Sequence, residues 1–130
     1  MIPAVNSEAP TIEVVFTRET LVRYAGAADD YVRQHWDHPY MIESGFPDVV
    51  VHGWLTFAHA CRVVTEWLPP PEWAIAGYDV RYRRPTYPGL HTCGGRVSAA
   101  RDDGVDILLW VKDASGQITT EATVKVRRTA

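Results

Sequence analysis

Apolar and polar positions follow two rhythms along this chain, and the rhythm changes at Pro69-Pro70-Pro71. Before the prolines the spacing is mainly helical, and after them it is alternating. Residues 11–16 are a short β-branched run that predicts a strand. Thr17 then reads as an N-cap, with Leu21, Val22, Tyr24 and Ala25 on the apolar face of a helix reaching about Ala28. Residues 29–38 are polar and irregular. Asp37 followed by Pro39 predicts a second short helix that Gly45 stops, and Phe46-Pro47-Asp48 is a loop.

The segment from 52 to 68 is apolar at Trp54, Leu55, Phe57, Ala58, Ala60, Cys61, Val63, Val64, Trp67 and Leu68. Only His52, Thr56, His59, Arg62 and Glu66 form a polar stripe. A helix with so little polar circumference is expected to be surrounded by other structure, and the prolines end it. Residues 73–84 and 90–100 read as strands. Val105, Ile107, Leu109 and Val111 point one way, with Asp106 and Lys112 marking the other face, and Ile118, Thr120, Ala122, Val124 and Val126 alternate with polar neighbours. Turn signals separate these runs at Pro88-Gly89, Asp102-Asp103-Gly104 and Ala114-Ser115-Gly116. The sum is α+β: about four consecutive antiparallel strands that must curve around one long buried helix. Another α+β sandwich is the plain alternative.

Composition narrows the function. The chain has 130 residues, 46% hydrophobic and 22% charged, which suits one packed domain spanning 1–130. Residues 1–10 read as a loose lead-in without the basic and apolar regions of a secretory signal. A net charge of -3 argues against nucleic acid as a partner. No run approaches the ~18 apolar residues of a membrane span. Two cysteines, Cys61 and Cys93, make no disulfide framework and no CxxC pair, so a reduced, cytoplasmic setting is expected.

The candidate chemistry lies before and at the start of the long helix. Asp30 and His35 share a polar loop that can turn both toward one pocket, where a carboxylate and an imidazole can hold a water and move protons. Gly53 opens the helix, whose N-terminus offers free N–H groups and a partial positive charge. With no side chain there, a ligand carbonyl can approach. For an isolated Asp and His, a helix cap and a solvated loop residue would be the ordinary reading. His52 reads as a structural brace, His59 as a satisfied core residue and Cys61 as an apolar filler. His35 and His38 lack a third donor at ligand spacing, so no metal is expected. Arg81, Arg83 and Arg84 suit phosphate; Arg81 and Arg83 share one face of a strand, and a solvated face is an equal reading for those two.

Two segments carry a family resemblance: Tyr24-Ala25-Gly26-Ala27-Ala28-Asp29-Asp30-Tyr31-Val32-Arg33-Gln34-His35-Trp36-Asp37 and Gly45-Phe46-Pro47-Asp48-Val49-Val50-Val51-His52-Gly53-Trp54-Leu55-Thr56. They resemble the YAGASGDxNPIHxD and GFPxxIxHGMLT signatures of MaoC-like, R-specific enoyl-CoA hydratases. Residues 80–89 are similar to that family's later Arg-Phe and Pro-Gly stretch. The resemblance implies a single hot-dog fold, a curved antiparallel sheet wrapped around a long central helix. It implies reversible hydration of trans-2-enoyl thioesters, on CoA or an acyl carrier, with no cofactor. It assigns catalysis to Asp30 and His35, the carbonyl-binding N–H to Gly53, and a place near substrate to Cys61. The family's sites lie at a dimer interface, so a homodimer or a mixed hot-dog dimer is implied.

The sequence departs from the pattern at three places. Val32-Arg33-Gln34 stands for Asn-Pro-Ile, Ala28-Asp29 for Ser-Gly, and Trp54 for the methionine after His-Gly. Trp54 is expected to fill part of an acyl tunnel. Asp29 is expected to raise the pKa of Asp30 if both face inward. Related chains in mixed dimers of steroid side-chain breakdown also lack the asparagine, which suggests a bulky acyl group. Two other functions fit less well: a non-catalytic partner subunit, and a thioesterase using Asp48.

Overall fold

The alternating C-terminal half forms one antiparallel sheet, and the long helix lies across it. The computed structural model describes residues 1–129. The strands are β1 (Ile12–Phe16), β2 (Trp73–Tyr82), β3 (Gly89–Arg101), β4 (Gly104–Asp113) and β5 (Ile118–Arg128). The helices are α1 (Arg18–Ala28), α2 (His38–Glu43) and α3 (Gly53–Trp67), with a 3-10 turn at Arg33–His35. Local signals chose most boundaries. The Thr17 hydroxyl accepts the Thr20 N–H, and the Asp37 carboxylate accepts the Tyr40 N–H, so both predicted N-caps act as caps.

The described strands run in the order β1-β3-β4-β5-β2. Strands β3, β4 and β5 follow one another in space as in sequence. Strand β2 does not join β3: it crosses to the far edge and pairs with β5, Val80 opposite Ala122 and Tyr82 opposite Thr120. Alternation states that a segment is a strand but not which strand it pairs with. Register shifts that leave an extra residue in β2, β3 and β5 add local twist and help the sheet curl round the helix. This is the hot-dog arrangement.

Phe57, Ala60, Val63, Val64 and Leu68 meet Val97, Val105, Ile107, Leu109, Val111, Ala122, Val124 and Val126 in the main core. Each buried side chain of this size contributes roughly 1.5–3 kcal/mol. A second cluster joins Phe16, Leu21, Met41, Val49 and Val51. It fastens α1, α2 and the segment before α3 to one another, and so carries the site.

Two expectations need correction. The lead-in is tied down. The Asn6 N–H donates to the Val97 carbonyl at 2.8 Å, and the Ala9 N–H to the Gly95 carbonyl at 2.9 Å. Strand β1 covers β3 only from Gly89 to Cys93, so residues 6–9 satisfy the edge groups beyond it. Nor is α3 surrounded. The sheet covers one side, leaving Trp54 56% exposed, while Thr56 and His52 of the supposed polar stripe are buried under the preceding loops.

Candidate active site

Asp30 follows the end of α1. Asp29 closes that helix in the left-handed conformation, φ 53°, which turns the chain sharply so that the Asp30 N–H still bonds the Ala25 carbonyl at 3.0 Å. Asp29 is exposed and serves as a cap, so the expected inward pair of acids does not form. The Asp30 carboxylate accepts the Val32 N–H at 3.3 Å. Its other oxygen lies 3.8 Å from Nε2 of His35.

His35 is buried on the 3-10 turn. Its Nδ1 is 2.6 Å from the carbonyl of Val50. A carbonyl only accepts, so Nδ1 carries the proton and the neutral ring presents a bare Nε2 toward Asp30. The gap of 3.8 Å is too long for a hydrogen bond. A water oxygen at about 2.8 Å from each atom fits between them. Backbone bonds hold the frame: the Val50 N–H donates to the Gln34 carbonyl at 2.8 Å and the Val51 N–H to the Thr86 carbonyl at 2.7 Å.

The ring of His52 stacks on His35 with centroids 3.7 Å apart and planes 19° apart. Its Nε2 is 3.3 Å from the Asp30 carbonyl, while its buried Nδ1 has no hydrogen-bond partner. Burial holds the His52 pKa below the ordinary 6.5, with His35 adding to the effect. The brace expected of His52 is therefore a neutral ring joining the two halves of the pair. Donor atoms of Asp30, His35 and His52 lie within 4.8 Å of one another. Nitrogen lone pairs lie in the ring planes, however, and two nearly parallel stacked rings do not aim theirs at one ion.

Helix α3 starts without a side-chain cap on its first N–H groups. Gly53, its first residue, lines a cavity of about 750 Å³ together with His35, Thr56 and Tyr82. A Cβ on Gly53 would lie 2.8 Å from the Tyr82 ring, so a glycine is required there by that ring as well as by any ligand. Met41, Phe46, Val50 and Val51 give the cavity an apolar wall. The family model described as "MaoC like domain" matches residues 4–125.

The chain belongs to the MaoC-like family.

A comparison with curated proteins finds no match. Among solved structures, the chain is similar to one in the ChsH1-ChsH2 complex from Mycobacterium tuberculosis, with a TM-score of 0.88, 22% identity, and 98% of this chain and 100% of that chain covered. It is similar to the R-hydratase PhaJ1 from Pseudomonas aeruginosa, with a TM-score of 0.87, 19% identity and coverages of 97% and 82%. It is also similar to the (R)-hydratase from A. caviae involved in PHA biosynthesis, with a TM-score of 0.87, 18% identity and 96% of each chain covered. At these identities the likeness is one of fold.

The predicted site residues of this MaoC-like chain separate into two groups. His35, Gly53, Arg83 and Arg84 line the cavity, and Asp30 stands beside His35 without forming the wall. Arg83 is held by Glu121 at 3.0 Å, whereas Arg84 has no ion pair among the described residues. Trp54, Cys61 and Arg81 are not in the wall. Trp54 packs on Phe57 and Tyr78 at the open side of α3. Cys61 is a half-buried thiol whose pKa burial pushes up to about 11. Arg81 sits on the outer face of the sheet. Asp48 is also absent from the cavity wall. Burial acts to raise its pKa, but the Arg18 guanidinium and the Val49 N–H outweigh that and lower it, so its carboxylate is already committed.

Two residues escaped the sequence reading. Gln34, seen only as a departure from the motif, has Nε2 3.3 Å from Nε2 of His35 and donates to its bare nitrogen. Tyr82 was read as a strand residue within the 80–89 resemblance, with no role of its own. Its hydroxyl lies 3.1 Å from where a Gly53 Cβ would be, at the mouth of α3. The one available signal was an aromatic at an inward position of β2, just before Arg83 and Arg84.

Proposed function

We propose that this chain catalyses the reversible hydration of trans-2-enoyl thioesters, equally the dehydration of (R)-3-hydroxyacyl thioesters, on CoA or an acyl carrier. The observation that carries the reading is the Nδ1–H bond from His35 to Val50, which leaves Nε2 without a proton beside Asp30 at a cavity that Gly53 also lines. A water held by Asp30 and His35 gives a proton to one of them as its oxygen bonds to the β-carbon. The pair delivers a proton to the α-carbon from the same face. The thioester carbonyl accepts the Gly53 N–H, and the Tyr82 hydroxyl is a second donor at that place. Both strengthen as the carbonyl becomes enolate-like.

Arg84, with Arg83 beside it, suits the phosphates of the thioester carrier. The apolar wall and a volume near 750 Å³ favour a bulky acyl group over a four-carbon one. The chain works as a dimer, with itself or with another chain of the same fold. The Gln34 contact on His35 favours a second reading, a partner subunit with a blocked site.

The test follows the loss of conjugated-thioester absorbance with crotonyl-CoA and longer or branched enoyl-CoA. Turnover that falls about 10²–10⁴-fold in both Asp30→Asn and His35→Ala is the expected result. Near-normal rates in either variant overturn the assignment. An inert wild type joined by an active Gln34→Ala protein would favour the blocked-site reading.

A further inference from the structure

Among the described residues, Gln34 is a polar side chain of the cavity wall whose single hydrogen bond goes to His35. It stands on the 3-10 turn, one residue before the imidazole. Its main chain is anchored. The Gln34 carbonyl accepts the Val50 N–H at 2.8 Å, and the Val50 carbonyl in turn accepts the Nδ1–H of His35 at 2.6 Å. Arg33 holds the turn from the other side: its guanidinium pairs with Asp37 at 2.8 Å and lies 4.1 Å over the Tyr40 ring. From this fixed base the exposed Gln34 side chain brings its amide nitrogen to 3.3 Å from Nε2 of His35.

The tautomer of His35 fixes the direction of that contact. Nδ1 faces a carbonyl and carries the proton, so Nε2 has only a lone pair and the amide must turn an N–H toward it. Other small donors of the wall are spent. The hydroxyls of Ser44, Thr56 and Thr86 donate to the Tyr40 carbonyl, the His52 carbonyl and the Thr119 hydroxyl. Among the described residues, the Gln34 amide is the one donor bonded to Nε2 and the one carboxamide in the wall.

The lone pair of an imidazole nitrogen takes one donor. A water between Asp30 and His35 therefore displaces the amide from Nε2. That water has two protons and two lone pairs. The Asp30 carboxylate and Nε2 both accept, so both protons are spent on them. One lone pair is left for the β-carbon and the other for a donor. The displaced Gln34 N–H, already a hydrogen-bond length from Nε2, is the donor at hand.

We propose that Gln34 is a further catalytic residue, whose amide N–H donates to the oxygen of the hydrating water and, in the reverse direction, to the 3-hydroxyl oxygen. The inference rests on the hydration reading above. The step balances without a cofactor: a C–O bond forms at the β-carbon, one O–H bond of the water breaks, and the pair of Asp30 and His35 delivers a proton to the α-carbon. Gln34 gives up no proton. Its third contact aims the attacking lone pair in one direction, so it acts on the rate of the bond-forming step rather than on thioester binding. An amide that stayed on Nε2 would instead plug the site, and removing it would then have the opposite effect.

Gln34→Ala, Gln34→Met and Gln34→Glu test this, with kcat and KM read separately at pH 8 on whichever of crotonyl-CoA and longer or branched enoyl-CoA the wild type hydrates fastest. Met keeps the length and Glu the shape of the side chain, but neither brings an N–H. Thermal unfolding of each variant confirms that it folds. Each should lose about 10–100-fold in kcat while KM stays within about threefold. A near-normal kcat in Gln34→Met or Gln34→Glu overturns the proposal, because shape alone would then suffice. A loss confined to KM makes Gln34 a binding group and overturns it as well. A rise in kcat in Gln34→Ala overturns it in favour of a plug. An inert wild type removes the hydration reading and this inference together. An active wild type with inactive Asp30→Asn and His35→Ala but normal Gln34 variants removes the inference alone.

Discussion

The sheet with α3 and the segment carrying Asp30 to Gly53 are built on different terms. The first is a continuous ladder whose inner side chains, Val97, Val105, Ile107, Leu109, Val111 and Val124, are at most 1% exposed. The second has one small apolar cluster and a few backbone bonds, among them Val50 to Gln34 and Val51 to Thr86. It buries polar groups instead, His35 and His52 in a stack, each held by a single carbonyl. Stability and chemistry are therefore separable here. The core is sensitive to loss or gain of apolar volume, and the site depends on the direction of single hydrogen bonds.

Leu109→Ala is the largest test of that separation. It removes core volume behind α3 and should cost about 2–5 kcal/mol of stability, read by denaturant unfolding, with turnover per folded molecule nearly kept. Equal losses of stability and of specific turnover would join the two regions. Tyr82→Phe probes the other side. It should leave the unfolding midpoint unchanged and lower kcat about tenfold, by removing one donor at the carbonyl position.

A smaller effect concerns pH. The His52 pKa lies below its ordinary 6.5 in the fold, so the unfolded chain binds that proton more readily. Stability from this residue is complete above about 6.5 and is lost as pH falls through the lowered folded value. Melting curves between pH 5 and 8 should show a decline on the acid side that is flatter in His52→Phe. An unchanged slope would mean that the stack bears no such load. Last, Asp29→Gly relieves a left-handed residue and should gain about 0.5 kcal/mol with unaltered turnover.

Much of the site was legible because it is local. Asp30, His35 and Gly53 lie within one stretch where cap residues, a polar loop and a helix start set the geometry. The segment also carries the family signature. Arg84 was legible as a phosphate-suited cation but not separable from Arg81. Which of the arginines meets the cavity depends on where β2 ends and which face of the sheet is curved inward. Trp54 and Cys61 were placed near substrate by motif position. Trp54 sits on the side of α3 that the sheet leaves open, and Cys61 is half-buried against the main core. Gln34 and Tyr82 carried no signal of their own, since their roles come from His35 and Gly53 across turns and strands.

By itself the sequence determined the elements, their caps and the apolar stripe of α3, because each is a matter of neighbours within one or two turns of chain. Tertiary structure alone decided that β2 crosses to the far edge, that residues 6–9 complete β3, and that His52 stacks on His35. Those outcomes depend on which backbone groups remain unpaired once the sheet has curved, and no short stretch of chain records that.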